Sequence, residues 1–220
     1  MRTERLPRRG LIALLAALSL CAAPALLQAQ ALFERFNMAV AADRSDEVAA
    51  LLARGMDPNT VDPNGDPALL VTARAGFEPT LDALLRSGAK VNARNRFGDS
   101  AIMAAAIEGR LAIVKKLAAR GAEIDGSGWT PLIYASTGGH DDVVRFLLEA
   151  GAKVDGEGPN GLTPLMMAVR GGHADTVSLL LAKGASVNHR SDTGASALAW
   201  AQRGGFDGIE KELRQRGARQ

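Results

Sequence analysis

The chain has 220 residues, of which 47% are hydrophobic and only 4% aromatic, so small apolar residues, above all Ala, Leu and Val, must fill any core, and Ala and Leu favour helix. The formal net charge is +2, but residues 1–31 carry four Arg against one Glu; without them 22 basic groups face 23 acidic ones, a net charge of −1. That balance excludes the basic footprint of a nucleic-acid binder and the polybasic tract of a membrane-surface protein.

The N-terminus reads differently from the rest. Arg2, Arg5, Arg8 and Arg9 precede an apolar run, "LIALLAALSLCAA" from Leu11 to Ala23, followed by Pro24 and the small-residue ending Ala29-Gln30-Ala31. A positive start, an apolar middle and an A-x-A end together predict a secretory signal peptide over residues 1–31, cut near Ala31. A cut after Ala29 would place Leu27 where a small residue is preferred. The alternative is an uncleaved anchor tethering a scaffold to the membrane, but 13 apolar residues fall short of the ~20 a spanning helix needs. Cys21 is the one cysteine and lies inside this segment. The mature chain therefore has no disulfide, thiolate metal site or cysteine nucleophile. The protein is expected to be exported and periplasmic, with membrane contact only during export unless the segment is retained.

Two series of glycines organise the rest of the chain. Gly55, Gly88, Gly121, Gly151, Gly184 and Gly217 each close an apolar helical stretch, at spacings of 33, 33, 30, 33 and 33. Gly65, Gly98, Gly128, Gly161 and Gly194 precede the next helices, at spacings of 33, 30, 33 and 33. Such a period predicts a stack of repeated units. Thr130-Pro131 and Thr163-Pro164 open first helices, with Thr as N-cap and Pro at the position that needs no N–H; Ser100 and Ser196 are placed to cap equivalent turns. Gly138-Gly139 and Gly171-Gly172 turn the chain into second helices. There Val143, Val144, Phe146, Leu147 and Leu148, and one unit later Val177, Leu179, Leu180 and Leu181, are expected to pack inward.

The text of successive periods is alike. "GWTPLIYASTGGHDDVVRFLLEAGAKVD" from Gly128 and "GLTPLMMAVRGGHADTVSLLLAKGASVN" from Gly161 resemble the ankyrin repeat in their T-P-L, G-H, V-V-x-x-L-L and G-A segments, and with the leader the chain resembles bacterial exported ankyrin-repeat proteins. The resemblance covers Leu32 to the C-terminus. It implies an all-α fold, an ankyrin-repeat solenoid of helix-turn-helix units joined by β-hairpin-like loops. Six units are expected: 32–61 as N-cap, 62–94, 95–125, 126–157, 158–190, and 191–220 as C-cap. Three departures stand out. The T-P-L-H histidine is replaced by Leu70, Met103, Ile133, Met166 and Ala199. The third loop lacks three residues, so one finger should be stubby. Asp66-Pro67 suggests that the second unit opens its helix one residue early.

Several apparent chemical motifs dissolve on this frame. Gly156, Gly158 and Gly161 spell G-x-G-x-x-G, but a helix rather than a strand precedes them, and no Asp or Glu occurs between Asp175 and Asp192 to hold a ribose. His140 and His173 sit one unit apart, about 10 Å in a helix stack, too far for a shared zinc at ~2.0–2.1 Å from each nitrogen; they read as turn histidines, and His189 as a solvated loop residue. Asp141-Asp142 suit a helix start. No catalytic residue, metal or cofactor is expected, and a small-molecule binder or enzyme using the groove is the weaker alternative.

The resemblance implies instead a non-catalytic protein-protein interaction module, binding a protein through its concave face and hairpin tips. The candidate partner-binding residues are Arg94, Arg96, Phe97, Asp99, Trp129, Asn160, Leu162 and Arg190, with the patch centred on Arg94, Arg96, Phe97 and Trp129 beside the shortened finger. Phe97 and Trp129 lie beside loop glycines, outside the helical apolar periodicity, and aromatic and Arg side chains dominate binding hot spots. The competing reading folds both rings back onto neighbouring hairpins. Tyr134 and Trp200 occupy equivalent first-helix positions and are expected to pack between units. The capped ends predict a monomer.

Overall fold

The computed structural model describes residues 27–219. The basic start, the apolar run and Cys21 lie outside these residues. Twelve α-helices occur among the described residues: α1 (27–41), α2 (Ser45–Ala53), α3 (Ala68–Ala75), α4 (Glu78–Arg86), α5 (Ala101–Ile107), α6 (Leu111–Ala119), α7 (Pro131–Gly138), α8 (Asp141–Glu149), α9 (Pro164–Gly171), α10 (Ala174–Ala182), α11 (Ala197–Gly204) and α12 (Asp207–Gln215). They form six antiparallel pairs. Helices α3, α5, α7, α9 and α11 stack on one another as an inner layer, and the even-numbered helices form an outer layer behind them. The fold is the all-α ankyrin solenoid expected from the sequence. None of the described helices is long and apolar enough to cross a membrane.

The core is one continuous apolar seam between the layers, running from Phe36 to Leu213. Each outer helix contributes a narrow stripe to it. In α8 the buried residues are Val143, Val144 and Leu147; in α10 they are Thr176, Val177, Leu180 and Leu181. Phe146, Leu148 and Leu179 are only partly buried on the flanks, because five apolar positions within six residues cannot share one helical face. Lys115 Nζ stands 5.8 Å from the Phe146 ring centroid and covers its outer side. The last of the described outer helices, α12, buries only Ile209 and Leu213, in keeping with a unit covered from one side.

The inner helices start where the Gly series places them. Thr130 Oγ1 accepts the Ile133 N–H at 3.3 Å, Thr163 Oγ1 the Met166 N–H at 3.3 Å, and Ser196 Oγ the Ala199 N–H at 3.2 Å. Ser100 departs from the expected cap. Its hydroxyl is buried without a partner, while its own N–H donates to Met103 Sδ at 3.5 Å. The thioether that replaces the family histidine thus folds back on the helix start as a weak acceptor. The second unit does not open early: α3 begins three residues after Gly65, as α5 does after Gly98. Pro67 takes the N-cap position, and its carbonyl accepts the Leu70 N–H at 2.8 Å in place of a hydroxyl cap.

Three of the polar devices that join adjacent units bear on the inner layer and the hairpins. The G-H histidines hold the inner layer together: the His140 Nε2–H donates to the Ile107 carbonyl and the His173 Nε2–H to the Thr137 carbonyl, each at 2.9 Å. These carbonyls lie at the ends of α5 and α7, where no helical partner remains. The second device is an Asn or Asp four residues after each closing glycine. The Asn59, Asn92, Asp155 and Asn188 carboxyl or amide oxygens accept the Lys90, Glu123, Ser186 and Arg219 N–H groups at 2.8, 2.9, 2.8 and 2.8 Å. At the equivalent Asp125, where the shortest loop begins, an ion pair with Lys153 at 3.0 Å stands instead. The third joins hairpins: Asn95 Nδ2 donates to Asp66 Oδ1 at 2.7 Å, while Arg74 holds Asp66 Oδ2 at 2.9 Å. Burial pushes the Asp66 carboxyl up, but the Asn95 amide and the Arg74 guanidinium outweigh it and hold the group below the usual aspartate range.

These joints differ in how much they should contribute to stability. Gly139 and Gly151 both have positive φ, 71° and 97°; a Cβ at Gly151 meets nothing within 4 Å, whereas one at Gly139 comes within 2.4 Å of His173 Nδ1. Gly151→Ala should therefore lower unfolding free energy by only the left-handed backbone cost, about 1–2 kcal/mol. Gly139→Ala should lose more, because it also drives His173 off the Thr137 carbonyl, and His173→Ala in that background should return part of the excess; urea denaturation checks all three. Asp66→Ala should cost about 1.5–3 kcal/mol, the range for hydrogen bonds to a charged group. Because the folded-state pKa of Asp66 is depressed, its contribution is fully present above the unfolded value of ~3.9 and is lost as pH falls through the lower folded value. The gap between wild type and Asp66→Ala should hold steady from neutral pH to about pH 5 and close below about pH 4.

Candidate protein-binding surface

The hairpins that link units are built on a common plan. Asn95 Oδ1 accepts the N–H groups of Phe97 and Asp99, each at 2.9 Å, and the Asn95 N–H donates to the Asp99 carbonyl at 3.0 Å. Asp62 does the same for Asn64 and Asp66, at 2.8 and 2.9 Å. Short-range bonding of this kind is what an Asn or Asp side chain offers a turn. Isolated antiparallel bridges, Val61 with Pro67, Arg94 with Ser100 and Arg190 with Ser196, close three of the loops. The plan pins the backbone and leaves the two residues after the anchor, Arg96 and Phe97 in the third unit, as the tip.

Phe97 is 71% exposed, the highest value among the large apolar side chains of the repeats. The Arg96 guanidinium lies over its ring, 4.8 Å from the centroid, a cation–π arrangement that leaves both groups facing solvent. The ring is thus an apolar surface on a hydrogen-bonded support. Little backbone freedom remains for it to lose on binding.

Trp129 is placed differently. The short third loop has no bridge, and Trp129 lies back, partly buried, on Tyr134 with centroids 5.7 Å apart and planes tilted by 46°. The Tyr134 hydroxyl donates to Asp99 across the unit boundary. Burial and the Asp99 carboxylate together push the Tyr134 phenol well above its ordinary pKa, so it stays a donor. Asp99 is therefore an internal acceptor holding Tyr134 rather than a free contact residue. Through Tyr134, Asp99 and Trp129 form a buttress behind the Arg96–Phe97 tip, so the first aromatic ring projects while the second folds back. Tyr134 packs between units, as its position predicts.

Arg94 and Arg190 share one structural task. Each donates from Nη1 to the carbonyl of the loop glycine four residues on, Gly98 at 2.7 Å and Gly194 at 2.9 Å, and Arg94 also pairs with Glu123 at 2.8 Å. Both remain exposed. Asn160 is an exposed tip residue with φ 63°, and its carbonyl accepts the Asp192 N–H of the next hairpin at 3.0 Å. Leu162 is partly buried. The eight predicted residues thus fall into two groups: Arg94, Arg96, Phe97, Asp99 and Trp129 around the third and fourth units, and Asn160, Leu162 and Arg190 on the two hairpins beyond. His189 is not solvated. Its Nε2–H donates to the Gly161 carbonyl at 2.9 Å, and Glu157 stands 3.9 Å away. A Cβ at Gly161 would come within 2.9 Å of Asp192 Oδ1, so the last glycine of the G-x-G-x-x-G segment serves the close approach of two hairpins.

Comparison with known proteins agrees with this architecture. Ankyrin-repeat models match residues 36–126 and 73–158 as three-copy arrays and residues 160–192 as a single repeat. The chain is 35% identical over 105 residues to mouse Protein fem-1 homolog A-like, covering 43% of this chain and 16% of that protein. It is 31% identical over 96 residues to a Caenorhabditis elegans homolog of transient receptor potential cation channel subfamily A member 1, covering 43% of this chain and 8% of the other. Human protein phosphatase 1 regulatory subunit 27 is 39% identical over 67 residues, 29% of this chain and 44% of that protein. The chain spans less than half the length of each. The repeats, their stacking and their sequence together place this chain in the ankyrin-repeat family.

Proposed function

We propose that this chain is an exported, non-catalytic ankyrin-repeat module that recognises a protein partner, with the Arg96–Phe97 tip as its anchor. The observation that carries the reading is the large apolar ring left 71% exposed on a hairpin whose backbone is pinned by Asn95. An aromatic ring presented beside an arginine is the combination enriched in binding hot spots. Ankyrin repeats and relatives such as a phosphatase regulatory subunit support an interaction module. Arg94 and the Asp99–Tyr134–Trp129 buttress hold the tip; Arg96 and Phe97 meet the partner.

Export rests on the leader: four arginines, an apolar run and Ala29-Gln30-Ala31. The placement of the cut is supported by burial. Residues 27–31 are exposed, Leu32 is the first residue packed against the core, and Phe36 is fully buried. Removal of residues 1–31 costs the repeat stack no buried side chain among the described residues.

A photo-crosslinking amino acid at Phe97 should trap a partner in living cells, and the same probe at Arg145, exposed on an outer helix, should not. Phe97→Ala should weaken the affinity for the partner so identified by about thirtyfold, the ~2 kcal/mol of a hot spot, with urea denaturation unchanged. An identical product from both positions, or none from Phe97, overturns the assignment of the tip. N-terminal sequencing of the accumulated protein should start at Leu32; a retained Met1 would show the tethered form instead.

A further inference from the structure

The inner layer carries a repeating charge position whose neutralisation stops partway along the stack. Two residues before each glycine that closes an inner helix stand Arg74, Ile107, Thr137, Arg170 and Arg203. One residue after each hairpin glycine stand Asp66, Asp99, Trp129, Leu162 and Ala195. In the second unit the two positions meet as the Arg74–Asp66 ion pair, at 2.9 Å. In the fifth and sixth units the arginine remains but its carboxylate is replaced by Leu162 and Ala195. Among the described residues Arg170 and Arg203 have no ion-pair partner within 4.0 Å, and both are exposed.

The same two arginines border an open cleft of ≈ 370 Å³ whose other walls are Trp200, Gly204 and Phe206. Phe206 occupies the position held by His140 and His173 in earlier units, so it brings no N–H to the Arg170 carbonyl. A Cβ at Gly204 would lie 2.5 Å from Phe206 Cε2 and one at Gly172 2.9 Å from Phe206 Cε1, so the ring is wedged between two glycines as a fixed apolar wall. Trp200 packs one side on the core and turns the other to the cleft. Two guanidiniums therefore flank two aromatic rings.

We propose that this cleft binds an acidic, extended segment of the protein partner, its carboxylates taken by Arg170 and Arg203 and an apolar side chain by Trp200 and Phe206. The inference rests on the reading of the chain as a partner-binding module and names the chemistry of what it binds. Adjacent packed helices stand 8–10 Å apart, and an extended chain rises about 3.3 Å per residue. Side chains of an extended chain alternate in direction, so carboxylates four positions apart, about 13 Å, share one side with the residue midway between them; two long arginine side chains reach both carboxylates, and the midway side chain lies over the rings. Bidentate carboxylate recognition is the geometry arginine is suited to.

The test uses dye-labelled eight-residue peptides in which two glutamates four positions apart have a leucine midway between them, with glutamine and lysine counterparts, read by fluorescence anisotropy against the chain from Leu32. Glutamate peptides should bind at least tenfold more tightly than glutamine ones, and Arg170→Glu with Arg203→Glu should lose at least tenfold and shift preference to the lysine series. Arg170→Gln with Arg203→Gln should show the loss without the shift. Both pairs are exposed and unpaired, so thermal unfolding should be unchanged. Phe97→Ala should leave peptide binding intact. Equal binding of glutamate and glutamine peptides, no binding of either, or a glutamate preference that survives charge reversal overturns the proposal, whatever crosslinks form at Phe97. A concentration-dependent dimer in sedimentation, abolished by the charge reversal, assigns the cleft to a second copy and overturns it too. Loss of the crosslink at Phe97 with glutamate binding retained instead removes the tip and leaves the cleft.

Discussion

The structure depends on one constraint: no helix pair in it can cover its own apolar face. An inner helix of seven or eight residues such as α5 or α9 is too short to hold itself together in water. It persists because the inner helices on either side cover it and an outer helix lies behind. Stability is therefore a chain of nearest-neighbour terms, and anything that repeats at the boundary is felt at every boundary. That is why polar groups recur there in register. The imidazole on an orphan carbonyl and the Asn or Asp clasp across units satisfy backbone groups that stacking would otherwise bury unpaired.

The three-residue deletion in the third loop shows what happens when the period slips. The helices keep their register, since apolar burial sets it. The connection adjusts instead: the Asp125 clasp becomes a side-chain ion pair with Lys153, and Trp129 lies against Tyr134. Tyr134 then reaches the Asp99 carboxylate of the longer hairpin before it. A shortened finger thereby becomes support for its neighbour, and the Arg96–Phe97 tip stands beside a filled space.

Periodicity carried most of the fold. Two rows of glycines and the threonine and serine N-caps were enough to place helices, turns and hairpins, because each reflects a local backbone requirement that residues within a few positions satisfy. What the sequence hid were contacts between residues about thirty positions apart. Asp99 looked like a free loop acid because its donor, Tyr134, is 35 residues away; His189 looked solvated because its acceptor, Gly161, belongs to the preceding hairpin. The Asn and Asp clasps were visible as a letter recurring four places after each closing glycine, but nothing local says that they reach the next unit. Phe97 was readable because it breaks the apolar rhythm without a neighbour to absorb it. Trp129 breaks the rhythm equally, and only the packing of Tyr134 separates the two. The Pro67 start was misread because a proline next to an acid resembles a helix opening at N1, whereas here it replaces the capping hydroxyl.

A repeat protein acquires function where its internal contacts are left incomplete. Most positions in this stack are satisfied by the same position one unit away, and such positions are silent toward other molecules. Arg74 is charged but occupied; Asp99 is acidic but occupied. Arg170 and Arg203 keep the charge of Arg74 after the carboxylate that would meet it has gone, and Phe206 keeps the place of His140 and His173 after the hydrogen bond has gone. Neither change helps the stack, since an unpaired guanidinium contributes nothing to folding and a phenyl ring cannot satisfy a carbonyl. Both changes fall on the same cleft at the same end, and together they exchange contacts the protein makes with itself for contacts only another chain can complete.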